Sequence, residues 1–229
     1  MPTVFHWFKM IRQLLSYLFV ALGVFFFMLM LKITIPYFSF EYDVDFLLTK
    51  QNVLHIRIWR IAFYTHISSS LFVLLIGVFQ FLKKLILHYP KTHRQLGKIY
   101  LLLVLFISAP SGFIMAIYAN GGIAAKVSFG MISVLWWYFT FIAYRKARRA
   151  DISSHLAFMY RSYGLTLSAI TLRLYVLIFP VFIHLHAKEM YTLVSYLSWI
   201  PNLIIAEILI RKSTFYKDVI AQRQSTQLP

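Results

Sequence analysis

Long apolar stretches alternate with short basic ones along the chain, and six of the apolar stretches approach the ~20 residues that a helix needs to cross the hydrocarbon of a bilayer. They run over about 14–35, 58–82, 98–119, 123–144, 157–183 and 190–210. A spanning segment must satisfy its backbone groups internally, so this pattern predicts an all-α fold. The expected architecture is a polytopic transmembrane helical bundle of six spans, with residues 1–229 forming a single integral membrane domain. The third and fourth spans are separated by only Asn120, Gly121 and Gly122, which supply the turn. The fifth is long enough to tilt or protrude. The first follows a basic flank from His6 to Arg12, exceeds the apolar core of a secretory signal and has no small-residue cleavage motif after it, so it reads as a retained helix.

Polar residues inside these stretches carry the next inference. In the fifth span, His155, Ser162, Thr166, Ala169 and Arg173 fall near one helical stripe, with Arg161, Gly164, Ser168 and Tyr175 on its neighbour. Small and hydroxylated residues let helices approach and exchange hydrogen bonds, so these stripes should face the bundle interior. Leu165, Leu172, Leu174 and Ile178 are then left for lipid. The second span offers a matching face of His66, Ser69, Ser70, Val73, Gly77 and Gln80, and the sixth adds Trp199, Asn202 and Glu207.

Depth can be counted at ~1.5 Å per residue. Arg161 and Glu207 both lie roughly 5 to 6 Å inside the same boundary, which permits an ion pair. The alternative is that Arg161 snorkels to lipid phosphate while Glu207 is protonated or bonds a hydroxyl. Arg173 and His66 share a greater depth, roughly 15 Å and 12 Å below the opposite boundary. They predict an internal polar pocket that could hold a quinone headgroup, a haem propionate, an anionic substrate or water. Equally, both side chains could bond carbonyls and hydroxyls and lock the helices together. Gln80, Asn202 and Glu207 read as a structural polar core.

Charge sets orientation. The chain has 23 Lys and Arg against 7 Asp and Glu, a formal net charge of +16. If the first residues are cytoplasmic, that side receives Lys9, Arg12, Lys83, Lys84, Lys91, Arg94, Lys98, Arg145, Lys146, Arg148, Arg149, Arg211, Lys212, Lys217 and Arg223. The opposite side receives only Lys32, Lys50, Arg57, Arg60, Lys126 and Lys188. Cations retained on the inner side predict a multi-pass protein of the bacterial inner (cytoplasmic) membrane with both termini cytoplasmic. Because the basic runs sit between apolar segments, they point to anionic lipid headgroups rather than nucleic acid. The loop from Pro36 to Arg57, rich in aromatics, should form an interfacial helix or a lid.

With no cysteine in the chain, disulfides, thiolate chemistry, cysteine-held iron–sulfur clusters and thiolate zinc sites are excluded. Nor is there a glycine-rich phosphate loop, a zinc-hydrolase motif or a nucleophile elbow. Of the eight histidines, only His66 lies well inside a span, and no second histidine matches its depth for a two-ligand haem b. His93 and His155 each precede a helix at a basic patch. They could bind a metal ion or haem at the membrane edge, act as acid and base, cap helices or contact lipid phosphate.

Several motifs together resemble the DUF2306 family of predicted bacterial membrane proteins. They are His93-Arg94 with Gly97 and Tyr100; Ser111-Gly112 with Met115-Ala116; and Phe129-Gly130 with Trp136 and Thr140. They continue with His155, Met159, Arg161-Ser162-Tyr163, Thr171-Leu172-Arg173, and finally Trp199, Pro201, Asn202 and Glu207. The resemblance covers about residues 60–210 and implies fold and location more than a reaction. The histidine-containing core is also broadly similar to that of small membrane cytochromes.

Two functional readings follow. One is an integral membrane protein serving as a structural, assembly or small-molecule-handling component, in contact with membrane lipids and a membrane-protein partner. The other is a haem- or metal-binding redox protein in which His66, His93 and His155 supply ligands and Arg161 and Arg173 neutralise anionic cofactor groups.

Overall fold

The computed structural model describes residues 4–212, with side chains described at residues 10, 11 and 14 and from 17 onward. The side chains of His6, Lys9 and Arg12, and the whole of Lys217 and Arg223, therefore lie outside what is described. Ten helices occur among the described residues: α1 (Val4–Thr34), α2 (Arg57–Gln80), α3 (Lys83–His88), α4 (Pro90–Leu102), α5 (Ala109–Ile117), α6 (Ile123–Arg148), α7 (Ile152–Thr166), α8 (Ser168–Phe182), α9 (Ala187–Leu197) and α10 (Ile200–Lys212). No strand is present among those residues. Among the described residues, six helical stretches are long and apolar enough to cross a membrane: Tyr17–Ser39, Arg57–Gln80, Pro90–Ile117, Ile123–Arg148, Ile152–Phe182 and Ala187–Lys212.

Three of these spans are interrupted, each for a chemical reason. Between α4 and α5 the backbone widens into a π-helical stretch, Leu103–Ser108, just before Pro110, which has no N–H to give. Between α9 and α10 the same deficit recurs at Pro201 in the first turn of α10. Between α7 and α8 the hydroxyls compete for helix carbonyls. Ser168 donates to Leu165 O at 2.5 Å and Thr166 to Ser162 O at 3.2 Å, a habit that bends helices.

Residues Ser162 to Thr166 are consecutively buried, because α7 packs against α2, α6 and α10. This overturns the assignment of Leu165 to lipid: it is 2% exposed and sits in the main core with Val73, Val78, Tyr100, Val104, Trp136, Tyr163 and Trp199. A stripe drawn for one straight helix fails where neighbours surround the last turn and the helix breaks at Leu167. Leu174 and Ile178, beyond the break, are exposed. So are large apolar side chains along α1, α6 and α10, which is the surface lipid covers.

The two ends of the bundle differ. One, the basic end, gathers α3, the start of α4, the α6–α7 turn and the end of α10, with Lys83, Lys84, Arg145 to Arg149, Arg211 and Lys212. In its α6–α7 turn Asp151 accepts from Ser154 N at 3.1 Å and capping α7 is its role. Lys146, 2.9 Å away, holds that carboxyl down at about 2.

At the opposite end, residues 35–56 form a lid built on two 3₁₀ turns, Ile35–Ser39 and Asp45–Lys50. Its Tyr37, Leu47 and Leu54 pack on Trp59 and Phe63 of α2, with Met115 against them. The sequence pattern counted Lys50 only as a charge, yet it is 3% exposed. Its ammonium donates to Tyr118 O at 2.7 Å and Asn120 Oδ1 at 2.8 Å, tying the lid to the α5–α6 turn. Burial, helped by the nearby Lys126, pushes its amine down to about 8.

A lysine whose folded value lies below the unfolded ~10.4 makes the unfolded chain the better proton binder between those two values. Stability should therefore rise with pH from about 8 to about 10.4, by on the order of 2 kcal/mol, while the cost of burying the charge is fully present below pH 8. Thermal unfolding of wild type and Lys50→Met across this window checks it: the methionine variant should lose the slope. A wild-type midpoint that falls as steeply as that of the variant would exclude a buried, cationic Lys50.

Candidate functional site

Polar side chains from α2, the π-helical stretch and α6 meet in the half of the bundle beneath the lid. His66 Nδ1 donates to Ser108 O at 2.8 Å, and its Nε2 lies 3.5 Å from Ser70 Oγ. Ser108 Oγ donates in turn to Ser69 Oγ at 2.7 Å. The π-helical stretch makes this geometry available: a second carbonyl there, Leu105 O, accepts from Trp137 Nε1 at 3.1 Å. Gly112 makes room for the imidazole, since a methyl in its place would stand 3.0 Å from His66 Cε1 and 3.2 Å from Ser133 Oγ.

Arg173, half-buried on α8, donates to Ala169 O at 2.9 Å. Its own hydrogen bond stays within α8, and His66 bonds to the π-helical stretch, so no hydrogen bond joins the two among the described residues. Nearer the lid, the Tyr37 hydroxyl accepts from Phe46 N at 3.3 Å.

The middle of the bundle holds a closed hydroxyl network. Tyr100 Oη is 2.9 Å from Ser162 Oγ and 3.0 Å from Thr166 Oγ1, and Ser162 Oγ is 2.7 Å from Thr140 Oγ1. All four residues are buried. They come from α4, α6 and α7, so the network stitches three spans together. Nearby, Trp199 Nε1 donates to Ser128 Oγ at 3.0 Å, and Asn202 Nδ2 to Thr171 Oγ1 and Ser198 O, each at 3.1 Å. Tyr163 lays its ring against Gly77 and donates to Leu74 O at 3.2 Å.

Toward the basic end, Arg161 and Glu207 form a two-point pair: Nε to Oε1 at 2.5 Å and Nη2 to Oε2 at 3.0 Å. The fork geometry is that of a strong guanidinium–carboxylate contact, and the guanidinium also covers the Phe158 ring at 4.9 Å. Side-chain exposure of 22% for Arg161 and 41% for Glu207 places the pair at the bundle surface rather than in its centre. Gly164, one turn from Arg161, lets α7 approach α10 closely; a methyl there would be 3.5 Å from Ala206 Cβ.

His155, at the start of α7, donates Nδ1 to Ala143 O at 2.9 Å. Gln80 is buried at the end of α2, its Oε1 toward Gly97 of α4. His93 is half-buried in the first turns of α4. Thus His66 and Arg173 belong to the lid half, and His93, His155, Gln80, Arg161 and Glu207 to the basic half. Among the described residues no group of three or more His, Asp or Glu is placed to hold a metal ion.

The model of the family described as predicted membrane protein (DUF2306) matches residues 63–210. The chain belongs to the DUF2306 family. The match runs from α2 through α10 and contains the hydroxyl network, the Arg161–Glu207 pair and the His66 and Arg173 group. The sequence thereby places this DUF2306 protein among integral membrane proteins, as its six apolar helices do. Neither the curated proteins nor the solved structures offer a match to the chain.

Proposed function

We propose that this DUF2306 protein is a non-catalytic component of a bacterial cytoplasmic membrane, structural or assembly in role, built as one domain with both termini cytoplasmic. One observation carries this reading. The interior hydroxyls of Tyr100, Ser162, Thr166 and Thr140 satisfy one another, so they act as glue between helices. Asn202 and Glu207 extend that role along the bundle, and Gln80 joins this polar core by packing its buried amide against Gly97 of α4. What remains for partners is the outer surface, open to lipid and to another membrane protein. Handling of a small molecule fits this reading at the lid half, where Arg173 and His66 lie half-buried.

The second reading, a haem- or metal-binding redox protein, has one observation in its favour. His66 and His155 each donate Nδ1–H to a backbone carbonyl, the tautomer that leaves Nε2 as a ligand. They lie in opposite halves, however, and cannot share one ion, while His93 would have to join His155 without a third donor.

An optical spectrum and elemental analysis of the gently purified full-length protein, expressed with haem and metals supplied, separate the two. The structural reading expects no visible absorbance band and far less than one metal ion per chain. A Soret band, or one bound metal per chain lost in His66→Ala or His155→Ala, would replace it with the redox reading.

A further inference from the structure

Along the outward side of α10, Trp199, Ile200, Leu203, Ile204, Glu207, Ile208 and Arg211 line an open groove of about 410 Å³. These positions pair up every three to four residues, so they form one stripe about 18 Å long, apolar over most of its length and charged only toward the basic end. The charged part is dipolar: Glu207 and Arg211 stand one helical turn apart, on the same face. Arg161 holds Glu207 from the bundle side through both carboxylate oxygens. A carboxylate has about four lone-pair sites, so acceptor capacity remains on the groove side, where the side chain is partly exposed.

We propose that this groove is a binding site for a phospholipid with a primary-ammonium headgroup, phosphatidylethanolamine being the representative. Glu207 accepts hydrogen bonds from the ammonium, Arg211 donates to the phosphate, and one acyl chain lies over Ile200, Leu203, Ile204 and Ile208. Charge complementarity selects this headgroup. A primary ammonium and a phosphate in one headgroup match the carboxylate acceptor and the Arg211 donor together, whereas a quaternary ammonium has no N–H to offer the carboxylate. Arg161 is a positioning residue here, fixing the carboxylate toward the groove. The basic end is where the sequence concentrates its cations, so the headgroup would sit at the membrane surface while the chain runs inward.

Native mass spectrometry of the full-length protein, released from mixed micelles holding equimolar phosphatidylethanolamine, phosphatidylcholine and phosphatidylglycerol with identical acyl chains, tests the site. Phosphatidylethanolamine should be retained about tenfold over phosphatidylcholine, the difference expected for losing charge-assisted hydrogen bonds to one carboxylate. Arg211→Gln, which leaves the Arg161–Glu207 pair intact, should lower total phospholipid retention severalfold, and Glu207→Gln should erase the preference for the primary ammonium. Equal retention of phosphatidylethanolamine and phosphatidylcholine in the wild type, or stronger retention of phosphatidylglycerol, overturns the proposal. That headgroup ranking needs no variant, so it decides the matter even where Glu207→Gln fails to fold.

Discussion

Arg161→Glu and Glu207→Arg should each lower the folded yield and the thermal midpoint in detergent, and the double reversal should recover a large part of both. Each single change sets two like charges face to face where the guanidinium and carboxylate now meet at 2.5 and 3.0 Å. Breaking a fully buried pair costs ~3–5 kcal/mol, and the half-exposed Glu207 calls for a discount, to a coupling on the order of 1–2 kcal/mol. A double-mutant cycle on thermal or denaturant unfolding measures it. A double reversal no better than either single change would mean that the pair contributes through its separate contacts, such as Arg161 over the Phe158 ring.

Gly77→Leu should be the most damaging single substitution in α2, and even Gly77→Ala should be felt. A methyl at Gly77 would stand 2.2 Å from Tyr163 Cε2, and the ring cannot simply swing away. Tyr163 is 4% exposed, packs its ring against Phe81 at a 45° tilt with centroids 5.4 Å apart, and is tied to Leu74 O. Overpacking of this kind costs ~1–3 kcal/mol for modest insertions and more where nothing can give. Unfolding midpoints of Gly77→Ala, Tyr163→Leu and the pair check the source of the effect. The smaller, more flexible leucine should partly rescue Gly77→Ala; additive losses would show that the glycine matters for α2 itself and not for its contact with α7.

The six spans were legible because hydrocarbon imposes a length and composition that few other environments do. Depth counting also led to Arg161 and Glu207, since rise per residue is nearly constant along each helix segment and both residues are close to an end. What was not legible depends on departures from a straight helix. The carbonyl that receives His66 lies in a π-helical stretch, and an ordinary helical register gives no reason to expect Ser108 O to accept a side chain. Leu165 fell on the wrong side because a stripe says nothing of how many neighbours surround one turn. Lys50 was hidden for a different reason: its partners, Tyr118 O and Asn120 Oδ1, lie far along the chain and carry no local pattern. The proposed roles of His66, His93, His155 and Arg173 rest on side-chain chemistry that several functions share.

The account depends on α7 and α10 meeting in the register that brings Arg161 to Glu207, with hydroxyls and small residues facing inward. A chain without cysteine makes that register directly measurable by introducing cysteines in pairs. A methyl at Gly164 would lie 3.5 Å from Ala206 Cβ, within the Cβ separations that disulfides adopt. Gly164→Cys with Ala206→Cys should oxidise in membranes to a disulfide detectable after cleavage of the chain between α7 and α10. Gly164→Cys with Ile205→Cys, whose second position is 54% exposed, should not. Efficient cross-linking of the Ile205 pair, with none for Ala206, would contradict the helix register on which the polar interior rests.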